Sequence, residues 1–199
     1  MNDKHPPIFP KLPSTYLEGA LSRRRFLAAA ATAAVSSLLP RPLYSWTRDA
    51  ASPERSLVFY NTHTGEQLST VYWLEGNYVP ESLKDIDHIL RDHRTDEVIN
   101  IDKRLLDLLF AIRTKLETHQ PFHIISGYRS AETNALLRSH SSGIAKKSLH
   151  MVGEAIDLRL PGRALRSLRQ IALNLKAGGV GYYPQSDFVH VDVGRVRYW

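Results

Sequence analysis

Short apolar strand patterns alternate with amphipathic helix patterns from residue 56 onward, and this alternation limits the folds open to the chain. Residues 57–61 and 68–73 are rich in β-branched and aromatic side chains on either side of His63-Thr64-Gly65, which predicts a β-hairpin. Further strands are predicted over 122–125, 155–158, 180–183 and 188–192. Helices are predicted over 80–94, 102–117, 131–138 and 163–176, and Asp102 is the expected N-cap of the second. Because helices and short strands are intermixed without a fixed-period repeat, we expect an α+β fold, with helices packed on a small antiparallel sheet.

Charge and cysteine content exclude several classes of protein. The 199 residues include 26 Lys and Arg, 20 Asp and Glu and 0 Cys, which gives a formal net charge of +6. Residues 1–55 hold eight basic and four acidic side chains, so the remaining domain is nearly balanced. It contains no basic helix with interleaved aromatic residues, and we therefore expect no nucleic-acid partner. Without cysteine, a disulfide scaffold and a thiol nucleophile are excluded, and any metal must be held by His, Asp or Glu.

The N-terminal 55 residues have the pattern of an export leader followed by a linker. Residues 22–27 read Ser-Arg-Arg-Arg-Phe-Leu, which matches a twin-arginine signal, and a mild apolar run follows over 28–39. This run is shorter than the roughly 20 residues of a membrane span, so no transmembrane segment is expected in the mature chain. We therefore predict export to the periplasm by the twin-arginine machinery. Cleavage near residues 45–52 and retention of the leader as an anchor both remain open.

Ionisable residues interrupt two otherwise apolar segments of the second half. His150 and Asp157 flank Gly153, which lets the chain turn between them, and His190 lies between two valines. Burying such groups is costly unless they are paired or bind a metal. Two imidazoles and one carboxylate can hold zinc with a fourth position open for water, as in catalytic sites. Taken alone, the spacing of His150 and Asp157 is more typical of a surface or core pair than of a set of metal ligands.

A metallohydrolase of this kind also needs a general base and a cation near the reacting carbonyl. Asp187 precedes His190 by three residues, so it can approach the metal site from the turn before the strand. Arg129 follows the strand predicted over 122–125 and is a candidate to stabilise an oxyanion or hold a substrate carboxylate. A structural role for Arg129, pairing with a carboxylate to hold its loop, is the alternative.

The order of these motifs resembles that of a known group of enzymes. The motifs are Ser126-Gly127-Tyr128-Arg129-Ser130, Ser148-x-His150-x-x-Gly153-x-Ala155-x-Asp157, Asp187-x-x-His190-x-Asp192 and the terminal Arg197-x-Trp199. They resemble the peptidoglycan metallopeptidases that share a fold with the D-Ala-D-Ala carboxypeptidases and the hedgehog signalling domain. Residues 56–199 are most similar to the murein endopeptidase K branch of that group.

The resemblance implies a periplasmic zinc peptidase domain over residues 56–199. Its members hydrolyse amide cross-links of peptidoglycan, preferring the bond between two diaminopimelate residues. The implied ligands of Zn²⁺ are His150, Asp157 and His190. The base is assigned to Asp187, with Asp192 as an alternative base or as a partner that orients an imidazole.

Substrate contacts are less sharply defined by the motifs. Ser148 and Tyr128 are candidate substrate-binding residues, although a turn-forming hydroxyl and a packing ring are the structural alternatives. His123 has the best remaining claim among the other histidines, because its predicted strand leads to Arg129. Lys146 and Lys147 form either a solvated turn or a surface that attracts an anionic stem peptide.

Two other functions fit the same residues. A zinc D,D- or L,D-carboxypeptidase would use Arg129 to hold the free terminal carboxylate of a stem peptide. A cell-wall-binding module without catalytic activity would keep the fold and lose the reaction. The complete ligand set and the nearby acids favour an enzyme over a binding module.

Overall fold

The computed structural model describes residues 54–141 and 143–199, which form one sheet with helices packed against it. The strands are β1 (Glu54–Asn61), β2 (Gln67–Leu74), β3 (Asn77–Tyr78), β4 (Phe122–Ser126), β5 (Ala155–Arg159), β6 (Gly179–Tyr183), β7 (Phe188–Asp192) and β8 (Arg197–Tyr198). The α-helices are α1 (Pro80–Ile89), α2 (Lys103–Lys115), α3 (Ala131–His140) and α4 (Leu165–Leu175), and a 3₁₀ helix spans Leu149–Val152. The predicted α+β class is therefore confirmed.

The sheet differs from the small antiparallel one that we expected. Its order is β3-β2-β1-β4-β5-β7-β6-β8, and two neighbouring pairs, β1 with β4 and β6 with β8, run parallel. The chain between β1 and β4 passes through α1 and α2, and such a crossover can return a strand in the same direction, whereas a tight hairpin cannot. The sheet is therefore mixed. Its middle, where β4, β5 and β7 lie side by side, is antiparallel.

Local sequence signals explain where the helices begin. Pro80 occupies the first turn of α1. Asp102 caps α2 as predicted, because its side chain accepts a hydrogen bond from the Arg104 amide at 2.8 Å. Ser130 caps α3 in the same way, with its hydroxyl accepting from the Thr133 amide at 3.1 Å. The loop that carries Arg129 is thus joined directly to a helix.

One hydrophobic core lies between the sheet and the helices. Leu57 and Phe59 of β1 and Phe122 of β4 are completely buried, as are Leu105 and Leu109 of α2. Burial of such side chains contributes about 1.5–3 kcal/mol each before entropy is subtracted. The central strands are therefore held rigidly, and the polar side chains on them have fixed positions.

None of the helices within residues 54–141 and 143–199 is long and apolar enough to cross a membrane. The predicted leader, with its arginine motif over 22–27 and apolar run over 28–39, lies outside the described residues.

Candidate metal centre

Three buried side chains meet at the middle of the sheet. His150 comes from the 3₁₀ helix, Asp157 from β5 and His190 from β7, and the last two are paired across the β5–β7 ladder. His150 Nε2 lies 3.2 Å from His190 Nδ1 and 3.3 Å from Asp157 Oδ1. His190 Nδ1 lies 2.8 Å from that same carboxylate oxygen. The three predicted ligands therefore converge on one point.

Gly153 allows the 3₁₀ helix to deliver His150 to this point. It adopts a left-handed backbone conformation with φ 71°, and a Cβ atom there would lie 2.7 Å from the carbonyl oxygen of Asn100. The turn between His150 and Asp157 thus needs glycine for both its conformation and its close packing.

The donor atoms fit a divalent metal. In a tetrahedral zinc site with ligand bonds of about 2.0–2.1 Å, two donor atoms are separated by about 3.3 Å. The measured separations of 2.8, 3.2 and 3.3 Å approach this value without any movement of the backbone. Among the described residues, this is the one group of three His, Cys, Asp or Glu side chains close enough to hold an ion.

Each of the three predicted ligands is also held in place by a hydrogen bond on the side away from the shared point. His150 Nδ1 donates to the carbonyl oxygen of Gly127 at 2.7 Å, and His190 Nε2 donates to Asp192 Oδ2 at 3.0 Å. Arg129 Nη2 donates to Asp157 Oδ2. These bonds fix the tautomer of both rings and leave His150 Nε2 and His190 Nδ1 free to bind a metal.

The surroundings shift the pKa values of the three clustered residues in different directions. Burial lowers the pKa of His150, which keeps that ring neutral. Burial also acts to raise the pKa of Asp157, but the charges and hydrogen bonds of His150 and His190 outweigh it, and the pKa of Asp157 is lowered. Burial acts to lower the pKa of His190, but its hydrogen bonds with Asp157 and Asp192 outweigh burial and raise that pKa. The cluster therefore combines a neutral His150, an ionised Asp157 and a more basic His190, and a metal bound at His190 Nδ1 would take the place of a proton there.

Asp192 is fully buried and its two oxygens are fully engaged. Oδ1 accepts hydrogen bonds from the amides of Gly179 and Gly194, both at 2.9 Å. Arg197 donates to Oδ1 at 3.0 Å and to Oδ2 at 2.6 Å, and His190 donates to Oδ2. Burial works against ionisation, yet these donors outweigh it and lower the pKa of Asp192. The residue is thus an ionised partner of His190.

Three other predicted residues lie away from the cluster. Asp187 is 64% exposed in the β6–β7 turn, where it pairs with Arg159 at 3.1 Å, and it does not line the cleft. Tyr128 packs against the core, and its hydroxyl donates to Glu97 Oε2 at 3.4 Å. His123 lies on β4 with its ring against Tyr60 and contributes no donor atom to the cluster.

A cleft of about 630 Å³ opens over His150, Asp157 and His190. Part of its lining is aromatic: the rings of Tyr183 and Phe188 stack at 4.5 Å, and Trp199 Nε1 donates to the Tyr183 hydroxyl at 2.7 Å. Other lining residues, among them Lys147 and the predicted Ser148, come from the segment that leads into the 3₁₀ helix. Arg129 also lines the cleft, so its guanidinium both holds Asp157 and faces the cavity.

The sequence motifs included Arg197 and Trp199 without giving either a role. The structure brings both to the cleft, because β8 pairs with β6 beside β7. The Trp199 ring lies 5.2 Å from the His190 ring, over Gly181, where a Cβ atom would come within 2.7 Å of the indole. In the sequence, Gly181 was the signal for this contact, because a glycine on β6 leaves room for the large side chain of another residue.

A buried His-Asp-His donor set below an open cleft is the arrangement of a metal-dependent hydrolase. A family model described as peptidoglycan L,D-endopeptidase MepK matches residues 49–199. A protein with that name from Escherichia coli K12 is 42% identical over 178 residues, which cover 89% of this chain and 97% of the relative. A probable peptidoglycan L,D-endopeptidase MepK from Haemophilus influenzae is 40% identical over 179 residues, covering 89% and 95%. The chain belongs to the MepK family, which confirms the resemblance inferred from its motifs.

Proposed function

We propose that the protein is a zinc-dependent murein endopeptidase that hydrolyses amide cross-links between peptidoglycan stem peptides. The observation that carries this proposal is the triangle formed by His150 Nε2, Asp157 Oδ1 and His190 Nδ1 below the cleft. Membership of a family whose relatives are named L,D-endopeptidases supports the reaction. A bond between two diaminopimelate residues joins an L centre to a D centre, so it is the cross-link that we assign as substrate.

The donor set suits zinc better than the harder cations. Two imidazole nitrogens with one carboxylate oxygen are typical of zinc, whereas magnesium and calcium favour sites built mainly from oxygen. When bound, zinc supplies a Lewis acid that polarises the scissile carbonyl and lowers the pKa of water. The chain's own contribution is to hold His150, Asp157 and His190 in one geometry through their outer hydrogen bonds.

Arg129 has two tasks in this proposal. Its Nη2 donates to Asp157, and its Nε donates to the Ser126 hydroxyl at 2.8 Å, so the guanidinium is locked in place. Because the same group lines the cleft, its positive charge lies close to where the carbonyl oxygen becomes negative. A locked cation serves an oxyanion better than a mobile one, since no reorganisation is needed during the reaction. Ser148, at the entrance to the 3₁₀ helix, stays assigned to substrate binding.

The general base is assigned to Asp187 rather than Asp192. Asp192 is 0% exposed and both of its oxygens already accept hydrogen bonds, so it serves to orient His190. Asp187 has solvent access and belongs to the turn that leads directly into β7. To reach the cleft, its side chain must leave Arg159, and this exposed ion pair costs little to break.

The place of action that we propose is the periplasm, reached by twin-arginine export. Residues 22–27 supply the arginine motif, and peptidoglycan lies outside the cytoplasmic membrane. Fusion of residues 1–55 to a reporter should direct it to the periplasm, and replacing Arg23 and Arg24 by lysine should stop export. A reporter that is exported equally well with both lysines would contradict this route.

The test of the activity uses purified protein, zinc and two defined substrates. Cross-linked muropeptide dimers and uncross-linked pentapeptides are incubated with and without a chelator, and products are identified by mass. We expect the dimers to be cleaved only when zinc is present. Shortening of the pentapeptide alone would indicate a carboxypeptidase, whereas zinc-bound protein with no turnover on either substrate would indicate a wall-binding module.

A further inference from the structure

Three cations line the cleft, and they differ in what they bind. Arg129 pairs with Asp157, and Arg197 pairs with Asp192. Within residues 54–141 and 143–199, the exposed side chain of Lys147 takes part in no hydrogen bond or ion pair. Both arginines are thus held by carboxylate partners, whereas Lys147 is a cation of the cleft lining that has no partner among the described residues.

This free charge has a natural counterpart in the proposed substrate. When two diaminopimelate residues are joined, the residue that supplies the amine keeps a free carboxylate on the carbon bonded to the scissile nitrogen. That carboxylate enters the cleft together with the amide that is cut. A lysine ammonium can donate up to three hydrogen bonds to such a group, and the partly enclosed cleft strengthens the attraction compared with open water.

We propose that Lys147 forms a subsite for this carboxylate and so determines specificity on the amine side of the scissile bond. The proposal rests on the endopeptidase function assigned above. Lys147 immediately precedes Ser148 and is two residues from the 3₁₀ helix that carries His150, so the subsite is attached to the metal centre through a short segment. The enzyme should therefore favour cross-links with a free carboxylate over cross-links in which that group is amidated.

The test combines a change in the enzyme with a change in the substrate. Wild type and K147Q are compared on diaminopimelate-linked dimers that carry either the carboxylate or the corresponding carboxamide beside the scissile amide. Because a hydrogen bond to a charged group is stronger than one between neutral groups, we expect K147Q to raise KM for the carboxylate dimer roughly tenfold, with kcat little changed. KM for the amidated dimer should stay the same in both proteins.

The neighbouring lysine is a matched control. Lys146 is also exposed but does not line the cleft, so K146Q should behave like wild type on both dimers. K147R should retain most of the preference for the carboxylate, because it keeps the charge. An equal rise in KM for both dimers in K147Q, or no rise for either, would overturn the proposed subsite. Failure of wild-type protein to cut any dimer would instead overturn the endopeptidase function.

A second inference comes from contacts behind the metal centre. Arg197 donates to both oxygens of Asp192, and its guanidinium lies 5.1 Å from the centre of the Trp199 ring. Asp192 in turn accepts from His190 Nε2 at 3.0 Å. We infer that Arg197 is a positioning residue, which holds the Asp192 carboxylate so that His190 presents Nδ1 to the metal.

Metal affinity is the measurement that separates this role from general stabilisation. Zinc binding is measured by competition with a chromophoric chelator, on variants whose thermal unfolding shows that they are folded. Loss of a residue that supports a ligand typically weakens metal affinity 10–100-fold, and we expect about this loss in R197Q. R197K should lose less, because it keeps the charge but cannot donate to both oxygens in the same fork geometry.

Arg195 provides the control for this experiment. It is exposed, two residues away, and outside the lining of the cleft, so R195Q should bind zinc as wild type does. Folded R197Q with unchanged zinc affinity would overturn the inference. If R197Q does not fold, R197K decides the question, since unchanged affinity in that variant would also contradict a positioning role.

Discussion

Asp187 and Asp192 lie five residues apart, and their surroundings give the two carboxylates different chemistry. Asp192 is enclosed by two backbone amides, Arg197 and His190, which lower its pKa. Asp187 lies in the solvent with one exposed ion-pair partner. A carboxylate whose oxygens already accept several hydrogen bonds is suited to orient a neighbouring side chain. A carboxylate with free lone pairs is suited to take a proton during the reaction.

Asparagine substitutions separate these two roles. In D192N, one carboxylate oxygen is replaced by an NH₂ group, which must then face one of the donors that now bind Oδ1 or Oδ2. Because Asp192 supports His190, zinc affinity should fall about 10–100-fold. D187N should bind zinc normally but lose about 100-fold or more in kcat if Asp187 is the base. Chelator competition and single-turnover kinetics measure the two effects.

Asp96 is a close match for Asp187 and supplies the control. Both residues are exposed, both have a left-handed backbone, with φ 56° and φ 53°, and both pair with one arginine. D96N should therefore have wild-type kinetics. Full kcat in D187N would remove Asp187 from the mechanism.

The segment after α1 shows where elements follow from local sequence and where they do not. The β1–β2 hairpin, the cap of α2 at Asp102 and the start of α3 were predicted because each depends on neighbours in the chain. The helix predicted over 80–94 ends at Ile89 instead. Asp92 accounts for the turn that follows, because its side chain accepts from the amides of Arg94 at 3.0 Å and Ser130 at 2.8 Å. The second of these partners is distant in sequence.

Loss of the Asp92 carboxylate should destabilise the protein. The residue is 1% exposed, and D92A would leave the buried Ser130 amide without its partner. An unsatisfied buried donor costs about 1–3 kcal/mol, which denaturant unfolding can measure. D96N removes only the charge of an exposed pair with Arg91, and asparagine tolerates the left-handed backbone at this position, so this variant should cost less than about 1 kcal/mol. Equal stability of the two variants would contradict the role of Asp92.

His93, in the same turn, makes stability depend on pH. Its pKa is lowered from 6.5 to about 4, mainly by burial and then by the charges of His63 and Arg94. The His93 ring also stacks on the His63 ring, with 3.9 Å between the ring centres. His93 binds a proton more tightly in the unfolded chain than in the folded one. The stability that its neutral ring contributes is therefore fully present above pH 6.5 and is lost as pH falls towards 4. Denaturant unfolding from pH 7 to pH 4 should show a smaller loss of stability in H93Q than in wild type. H119Q, at an exposed histidine, should keep the wild-type slope.

At the scale of the whole molecule, the order of the strands assembles the site. The convergence of His150, Asp157 and His190 could be predicted from the sequence because they are polar residues within apolar segments and because the order of the motifs resembles a known family. The parts around them could not, because the contacts of Arg197 and Trp199 exist only once β8 has paired with β6. Two-residue strands such as β3 and β8 carry too little local pattern to be recognised before their neighbours are known.

Metal binding should therefore stabilise the complete domain. A metal held by His150, Asp157 and His190 would join the 3₁₀ helix, β5 and β7, and would bind the folded chain in preference to the unfolded one. At free zinc of 100 times Kd, we expect about 2.7 kcal/mol of added stability and a rise in Tm of roughly 5–10 °C. Calorimetry with and without chelator measures the shift. H150A should abolish it, H119A should not, and an equal shift in H150A would contradict the assigned centre.

The pairing of Asp157 with His190 across the β5–β7 ladder has a consequence for how the protein becomes active. A slip of one residue in this ladder would turn one of the two side chains to the opposite face of the sheet. The two donors therefore meet only in the finished register, and a partly folded chain has no complete place for the metal. A newly made chain should therefore gain the capacity to bind the metal, and with it the proposed activity, only when its sheet is complete.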